Sequence, residues 1–224
     1  MPYSNSFKNA IFDLDGTLVD TAPDLSIALN RVLASVERNP VGVDDVRHMV
    51  GGGARALIVH SLERTGGLLG DDDIDRLHQM YLDYYSENIA VDSRPFAGCK
   101  ELLDKLAENN IPMGIATNKP QYLAKKLVEE LGLSDYFRSI KGWDKVANPK
   151  PHQDHIFETL AEMGCSSEQT LMIGDSETDQ KAAHNAGIPV ALVTFGYSNS
   201  PIKGFPAEIF VDNLSELEKL FIIP

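Results

Sequence analysis

Apolar and polar positions follow two rhythms along this chain. Asn9 to Phe12 is a short apolar run, partly β-branched, broken at once by Asp13-Leu14-Asp15-Gly16, and it predicts a buried strand that ends at a sheet edge. A helical rhythm follows. Leu25, Ala28, Leu29, Val32, Leu33 and Val36 fall at helical spacing behind a cap at Thr21 or Asp24, and Asn39-Pro40 closes the segment. Ala54 to Leu62 and Ile74 to Tyr85 repeat the pattern, with Ile74, Leu77, Tyr81 and Tyr84 on one face. Residues 21 to 92 therefore read as essentially all helical.

After Asp92-Ser93-Arg94-Pro95-Phe96-Ala97-Gly98 the rhythm becomes an alternation of helix and strand. Helices are expected over Gly98 to Asn109, Pro120 to Leu131, His152 to Met163 and Thr178 to Ala186. Proline opens the second of these, and Gly132 and Gly187 stop the second and the last. Strands are expected over Ile111 to Ala116, Thr170 to Ile173 and Ile188 to Val193, with a weak one from Ser139-Ile140. Ile209-Phe210-Val211 and Leu214 to Phe221 add a last strand and helix. Such alternation predicts an α/β fold, a doubly wound, Rossmann-like parallel sheet with helices on both faces, into which an all-helical domain is inserted. The expected division is a core of residues 1–20 and 93–224 and an insertion of residues 21–92.

Composition narrows the class of partner. The 224 residues carry a formal net charge of -13, so the mean field repels nucleic acid and anionic membrane. Cys99 and Cys165 belong to no metal-binding spacing and are expected to be buried, inert thiols. Met1 to Ser6 lacks the basic, apolar and small-residue order of a signal peptide, and no apolar run has membrane-spanning length, so a cytoplasmic protein is expected.

In an open α/β sheet, ligands bind beyond the carboxyl ends of the strands, and those positions are loaded with polar groups here. Asp13 and Asp15 follow the first strand, Thr117 and Asn118 the second, and Gly174-Asp175-Ser176-Glu177-Thr178-Asp179 the strand at 170–173. Lys150, within Asn148-Pro149-Lys150-Pro151, opens a helix. Each cluster alone has a bland reading as a turn or a cap. A calcium loop is excluded, because Leu18 holds the sixth position, where glycine is required, and a strand precedes. Together, Asp13, Asp15, Asp175 and Asp179 would converge, and each like-charged pair at about 4 Å repels by roughly 4 kcal/mol at an effective dielectric of about 20. A cation relieves that repulsion, and an oxygen-only donor set favours Mg2+ over Zn2+. Lys150 and Thr117 then supply groups for a substrate phosphate.

Asp13-Leu14-Asp15-Gly16-Thr17-Leu18, Thr117-Asn118, Lys150-Pro151 and Gly174-Asp175-Ser176-x-x-Asp179, in this order, resemble the haloacid dehalogenase superfamily. The longer runs Phe12 to Asp24, Thr117-Asn118-Lys119-Pro120 and Ile173 to Gly187 are similar to its phosphoglycolate phosphatase family and close relatives. That resemblance implies a mobile cap for residues 21–92 and a nucleophile at Asp13 that forms an aspartyl-phosphate. It implies that Asp15 is the acid and base, its pKa raised by neighbouring acids. It further implies Mg2+ held by Asp13, the Asp15 carbonyl and Asp175, with Asp179 supporting directly or through water. Phosphate contacts would come from Thr117, Asn118 and Lys150. Gln153 stands where the family has the second proline of Lys-Pro-x-Pro, which leaves the local geometry of Lys150 open.

In the helical insertion, Gly51-Gly52-Gly53-Ala54-Arg55 is either a flexible turn ending in a solvated arginine or a loop that closes on substrate. In the second case Gly52 and Gly53 present N–H groups and Arg55 pairs with a second anionic group. Asp71-Asp72-Asp73 reads as a solvated, dipole-favoured helix start, and His152 and His155 as no metal site. Trp143 and the tyrosines at 81, 84 and 85 read as packing residues. The expected function is Mg2+-dependent hydrolysis of a small phosphomonoester, with 2-phosphoglycolate as the leading substrate. Rival substrates are a sugar phosphate, an amino-sugar phosphate or pyrophosphate. A phosphosugar mutase, a dehalogenase and a non-catalytic phosphate-binding regulatory protein are weaker alternatives. Oligomeric state is not legible in the sequence.

Overall fold

The computed structural model describes residues 6–198 and 209–222; the N-terminal residues 1–5, part of the segment read above as lacking a signal peptide, lie outside them. The chain divides into two compact units, Met1–Asp20 with Pro95–Pro224, and Thr21–Arg94.

The first unit is built on a six-stranded parallel sheet. Its strands are β1 (Asn9–Phe12), β4 (Met113–Thr117), β5 (Ser139–Gly142), β6 (Thr170–Gly174), β7 (Val190–Val193) and β8 (Ile209–Val211), and their order is β5-β4-β1-β6-β7-β8. Two-residue strands β2 (Val19–Asp20) and β3 (Arg94–Pro95) lie between β1 and β4 in the chain. All four β1 residues are buried, and Ile11 pairs with Gly114 on one side and Met172 on the other. Strands enclosed on both faces need unbroken apolar runs, which is why these segments do not alternate.

Parallel neighbours require a crossover, and helices supply it. These are α5 (Cys99–Glu108), α6 (Gln121–Glu130), α7 (Asp154–Met163) and α8 (Glu177–Ala186). Ile156, Leu160 and Met163 of α7 and Ala182, Ala183 and Ala186 of α8 form one buried cluster with Ile11, Ala116, Met172, Val190 and Leu192 of the sheet. Gly114 permits the close approach of α7, because a Cβ there would lie 2.5 Å from the Met163 sulfur. The expected last helix is instead a 3-10 turn over Leu214–Leu220, capped by Asn213 and packed on α5. The helix expected from His152 begins only at Asp154.

The second unit contains α1 (Ala22–Ala34), α2 (Val43–Arg47), α3 (Gly53–Thr65) and α4 (Asp71–Glu87). Leu25, Leu29 and Leu33 of α1 are buried, as are Leu57 and Leu62 of α3 and Ile74, Leu77, Tyr81 and Tyr85 of α4. The rings of Tyr81 and Tyr85 stack at 5.8 Å, while Tyr84 carries the Arg31 guanidinium 4.8 Å above its ring. Asn30 holds the segment after α1 by donating to the Val41 carbonyl at 2.9 Å and accepting the Val41 N–H at 2.8 Å. Asp24, a cap candidate by sequence, sits inside the first turn. Its buried carboxylate accepts from the N–H groups of Asp92 and Ser93 and from the Ser93 hydroxyl, at 2.6 to 3.1 Å.

Several expectations are corrected. The first helix ends at Ala34 rather than running on to Val36, and the short α2 carried no periodic signal because only Val46 of its five residues is buried. Trp143 is 49% exposed rather than packed, and Cys165 is only partly buried. Among the described residues, no helix is long and apolar enough to cross a membrane.

Candidate active site

The site lies at the carboxyl end of β1 and is assembled from the loops that follow β1, β4, β5, β6 and β7. The Asp13 N–H continues the ladder by donating to the Ile173 carbonyl at 2.9 Å. Its Oδ1 then accepts from the Leu14 N–H at 2.7 Å and meets Lys150 Nζ at 3.0 Å. Gly16 turns the chain away with φ +82°. A Cβ there would lie 2.5 Å from Asp175 Oδ2, so both the dihedral and the close approach call for glycine.

Asp175 follows β6, with its side chain almost wholly enclosed. Thr17 Oγ1 donates to its Oδ1 at 3.0 Å and the Tyr197 N–H to its Oδ2 at 2.7 Å. Asp179 stands one turn into α8 and is 0% exposed. Its Oδ2 accepts from the Ser176 N–H and hydroxyl at 3.1 and 2.6 Å, while the Ser176 Oγ accepts the Asp179 N–H, closing a capping box. Its Oδ1 meets Lys150 Nζ at 2.6 Å. Lys150 therefore bridges Asp13 and Asp179 with a side chain 1% exposed.

Three carboxylates sharing one ammonium are under-neutralised. Burial, then the charges of Asp179 and Asp13, push Asp175 up to about 8. Burial pushes Asp13 up to about 6, with Lys150 pulling against it and Asp179 adding to it. Burial works against the Lys150 ammonium, yet Asp13 and Asp179 outweigh it, so its pKa stands above the ordinary value. One oxygen each from Asp13, Asp175 and Asp179 lies within 4.8 Å of the others. A hard, oxygen-only set of this kind, short of positive charge, fits Mg2+.

The carboxylate of Asp15 does not join that crowd. Lys119 Nζ holds it at 2.9 and 3.1 Å, both side chains being largely enclosed, so the neighbour expected to be acidic is an ammonium. The reason is the adjacency of β4 and β1, which brings residue 119 alongside residue 15. Thr117 is buried, and its Oγ1 accepts the Lys119 N–H at 3.2 Å. The Asn118 side chain donates to the Lys150 carbonyl at 2.9 Å, fixing the lysine loop from outside. His155 fixes it from inside. Its Nδ1 accepts the Lys150 N–H at 3.2 Å, which leaves Nε2 as the donor to the Lys141 carbonyl at 3.1 Å. Burial, then the Lys150 charge, lowers the imidazole to about 4.

In the helical unit, Gly52 precedes α3 and Gly53 opens it, with φ +83° and open space where a Cβ would stand. Arg55 pairs with Asp71 at 3.5 Å and Asp75 at 3.2 Å, all three well exposed. Lys119, Thr17, Tyr197, His155 and Ser176 are the site residues to which the sequence reading assigned no role. Lys119 and Thr17 lay inside motifs already singled out. Tyr197 follows β7 and acts through its main chain, so only its strand-end position could have marked it.

Against known proteins, the model of the haloacid dehalogenase-like hydrolase family matches residues 10–193. The chain belongs to that family and is an enzyme of the hydrolase class. Among its relatives are the phosphoglycolate phosphatases of Agrobacterium fabrum, 40% identical over 93% of this chain and 89% of that protein, and of Caulobacter vibrioides, 39% identical over 94% and 89%. A crystal structure described as a predicted phosphoglycolate phosphatase from Haemophilus somnus superposes with a TM-score of 0.89. It is 30% identical and covers 96% of this chain and 97% of its own.

Proposed function

We propose that this enzyme is a Mg2+-dependent phosphatase for small phosphomonoesters, working through an aspartyl-phosphate, with 2-phosphoglycolate as its substrate. The observation that carries the reading is Asp13 at the end of the central strand, its carboxylate fixed by Lys150 and flanked by Asp175 and Asp179. The names of the relatives support the choice of substrate.

Asp13, the Asp15 carbonyl and Asp175 would hold the ion, with Asp179 supporting directly or through water, and the ion when bound supplies positive charge to the acids and to the phosphoryl group. Lys150 and Thr117, with main-chain N–H groups beside Asp15 and Asn118, hold the phosphoryl oxygens. The Asp13 carboxylate attacks phosphorus, so an Asp13 O–P bond forms as the P–O bond to the alcohol breaks. Asp15 gives its proton to the departing oxygen. Water then attacks the same phosphorus, Asp15 takes a proton from it, and phosphate leaves Asp13 as a carboxylate again. In this reading the helical unit is the cap implied by the family resemblance, with Gly52, Gly53 and Arg55 as candidate substrate contacts.

The purified protein should release phosphate from p-nitrophenyl phosphate in Mg2+, and EDTA or Asp13→Asn should reduce the rate by at least about 1,000-fold. Within a panel of phosphomonoesters, 2-phosphoglycolate should show the largest kcat/KM. Tight phosphate binding with no turnover across that panel would instead support a binding protein, and a sugar phosphate as best substrate would overturn the substrate assignment.

A further inference from the structure

Lys119 is a buried cation that the mechanism above does not use. Its residue is 7% exposed and its loop is rigidly backed. The main-chain N–H donates to Thr117 Oγ1, the carbonyl accepts from the Trp143 N–H at 3.3 Å, and a Cβ on Gly142 would lie 2.7 Å from that carbonyl oxygen. Burying a lysine is costly unless its charge is answered, and Asp15 answers it here. Arg55, the other basic residue considered for substrate, already has its charge matched by Asp71 and Asp75.

We infer that Lys119 reads a negative group on the departing alcohol, so that the enzyme selects phosphomonoesters bearing a carboxylate close to the ester oxygen. The inference rests on the phosphatase reading and on Asp15 as the proton donor. A donor must stand about 3 Å from the oxygen it protonates, and Lys119 Nζ touches both oxygens of Asp15, at 2.9 and 3.1 Å. The ester oxygen therefore falls no more than about 6 Å from Nζ. A carboxylate one methylene beyond that oxygen reaches the ammonium without displacing it. While Asp15 holds the proton it will give up, the substrate carboxylate answers the Lys119 charge, and the Asp15 carboxylate answers it again once the proton has left. A neutral substituent at that place leaves the cation with nothing further to bind.

The test compares 2-phosphoglycolate with its neutral amide, 2-phosphoglycolamide, in Mg2+, using p-nitrophenyl phosphate as the control for activity. Wild type should prefer the acid by at least tenfold in kcat/KM. Lys119→Met should lower kcat/KM for the acid a further 10- to 100-fold relative to the amide, the loss expected for a charge-assisted contact. Lys119→Arg should keep the preference. If Lys119→Met is too slow to assay, Kd values are measured by calorimetry in the Asp13→Asn background, where adding Lys119→Met should weaken the acid tenfold or more and the amide less than threefold. If Lys119→Met does not fold, Lys119→Gln takes its place. A wild-type preference below twofold overturns the inference, as does an equal fall for both esters, which would leave Lys119 serving Asp15 alone. Loss of the preference in Arg55→Ala together with its retention in Lys119→Met also overturns it. Failure of wild type to hydrolyse any phosphomonoester, p-nitrophenyl phosphate included, would bring down the phosphatase reading itself, and the control separates that result from the others.

Discussion

Removing Mg2+ should make stability fall as pH rises, which is the opposite of ordinary acid denaturation. In the metal-free protein Asp175 stands at about 8 and Asp13 at about 6, both above the 3.8 of an unperturbed aspartate. The folded state therefore keeps protons that the unfolded chain has released, and stability present at low pH is lost as pH climbs through 6 and then 8. At about 1.36 kcal/mol per proton and pH unit, the step from pH 6 to pH 8 costs about 2.7 kcal/mol, most of it from Asp175. His155 works the other way. It stays neutral when folded, at about 4, while the unfolded imidazole is still partly charged at pH 6, which returns about 0.8 kcal/mol. The net loss of about 2 kcal/mol lowers the melting temperature by about 5 °C for a chain of this size. Thermal melts in EDTA at pH 6, 7 and 8 measure it, and saturating Mg2+ should remove most of the difference. Calorimetry in two buffers of unlike ionisation enthalpy should show about one proton released per ion bound at pH 7. In Asp175→Asn the histidine contribution of about 0.8 kcal/mol outweighs the roughly 0.4 kcal/mol loss that Asp13 still causes, so the pH trend should reverse sign. A metal-free wild type as stable at pH 8 as at pH 6 would refute the argument.

Other perturbations test the scaffold around the site. His155→Ala strands the Lys150 N–H and the Lys141 carbonyl, and urea titration should show a loss of about 2 to 4 kcal/mol, with kcat falling as Lys150 loses its support. Gly174→Ala puts a Cβ 2.3 Å from that of Asp179, so turnover and Mg2+ affinity should drop together by about tenfold or more while circular dichroism stays native. Asp24→Ala leaves the Asp92 and Ser93 N–H groups without their acceptor, and limited proteolysis should find new cleavage near residues 91–94 along with a stability loss of about 2 to 3 kcal/mol.

The α/β core was legible because parallel strands enclosed on both faces must be apolar throughout, as Ala10-Ile11-Phe12 and Leu171-Met172-Ile173 are. Stop signals such as Gly187 then marked where helices give way to strands. The short α2 escaped because one buried valine makes no period. Within the site, Lys150 stood out at the expected entry to a helix, and strand-end position singled out Asp13 and Asp175. It did not tell which carboxylate Lys119 would meet, because that depends on β4 lying beside β1 rather than on any local pattern. The grip of the Tyr197 N–H on Asp175 is a main-chain contact and carries no residue signature.

The central place of β1 also sets a timetable for the nascent chain. Its partners are β4, which begins at Met113, and β6, which begins at Thr170, and Thr17 waits 158 residues for Asp175. At a synthesis rate of about 5 to 20 residues per second, β1 spends on the order of ten to thirty seconds outside the ribosome before its second neighbour exists. Throughout that interval at least one edge of this apolar strand is open, the state in which chaperones bind and aggregation begins. A chain cut short before the end of β6 would hold the proposed nucleophile yet lack Asp175 and Asp179, the acids that face it. Catalytic competence is thus among the last properties the growing chain acquires, and its appearance reports that synthesis and folding of the core have both run through β6 and into α8.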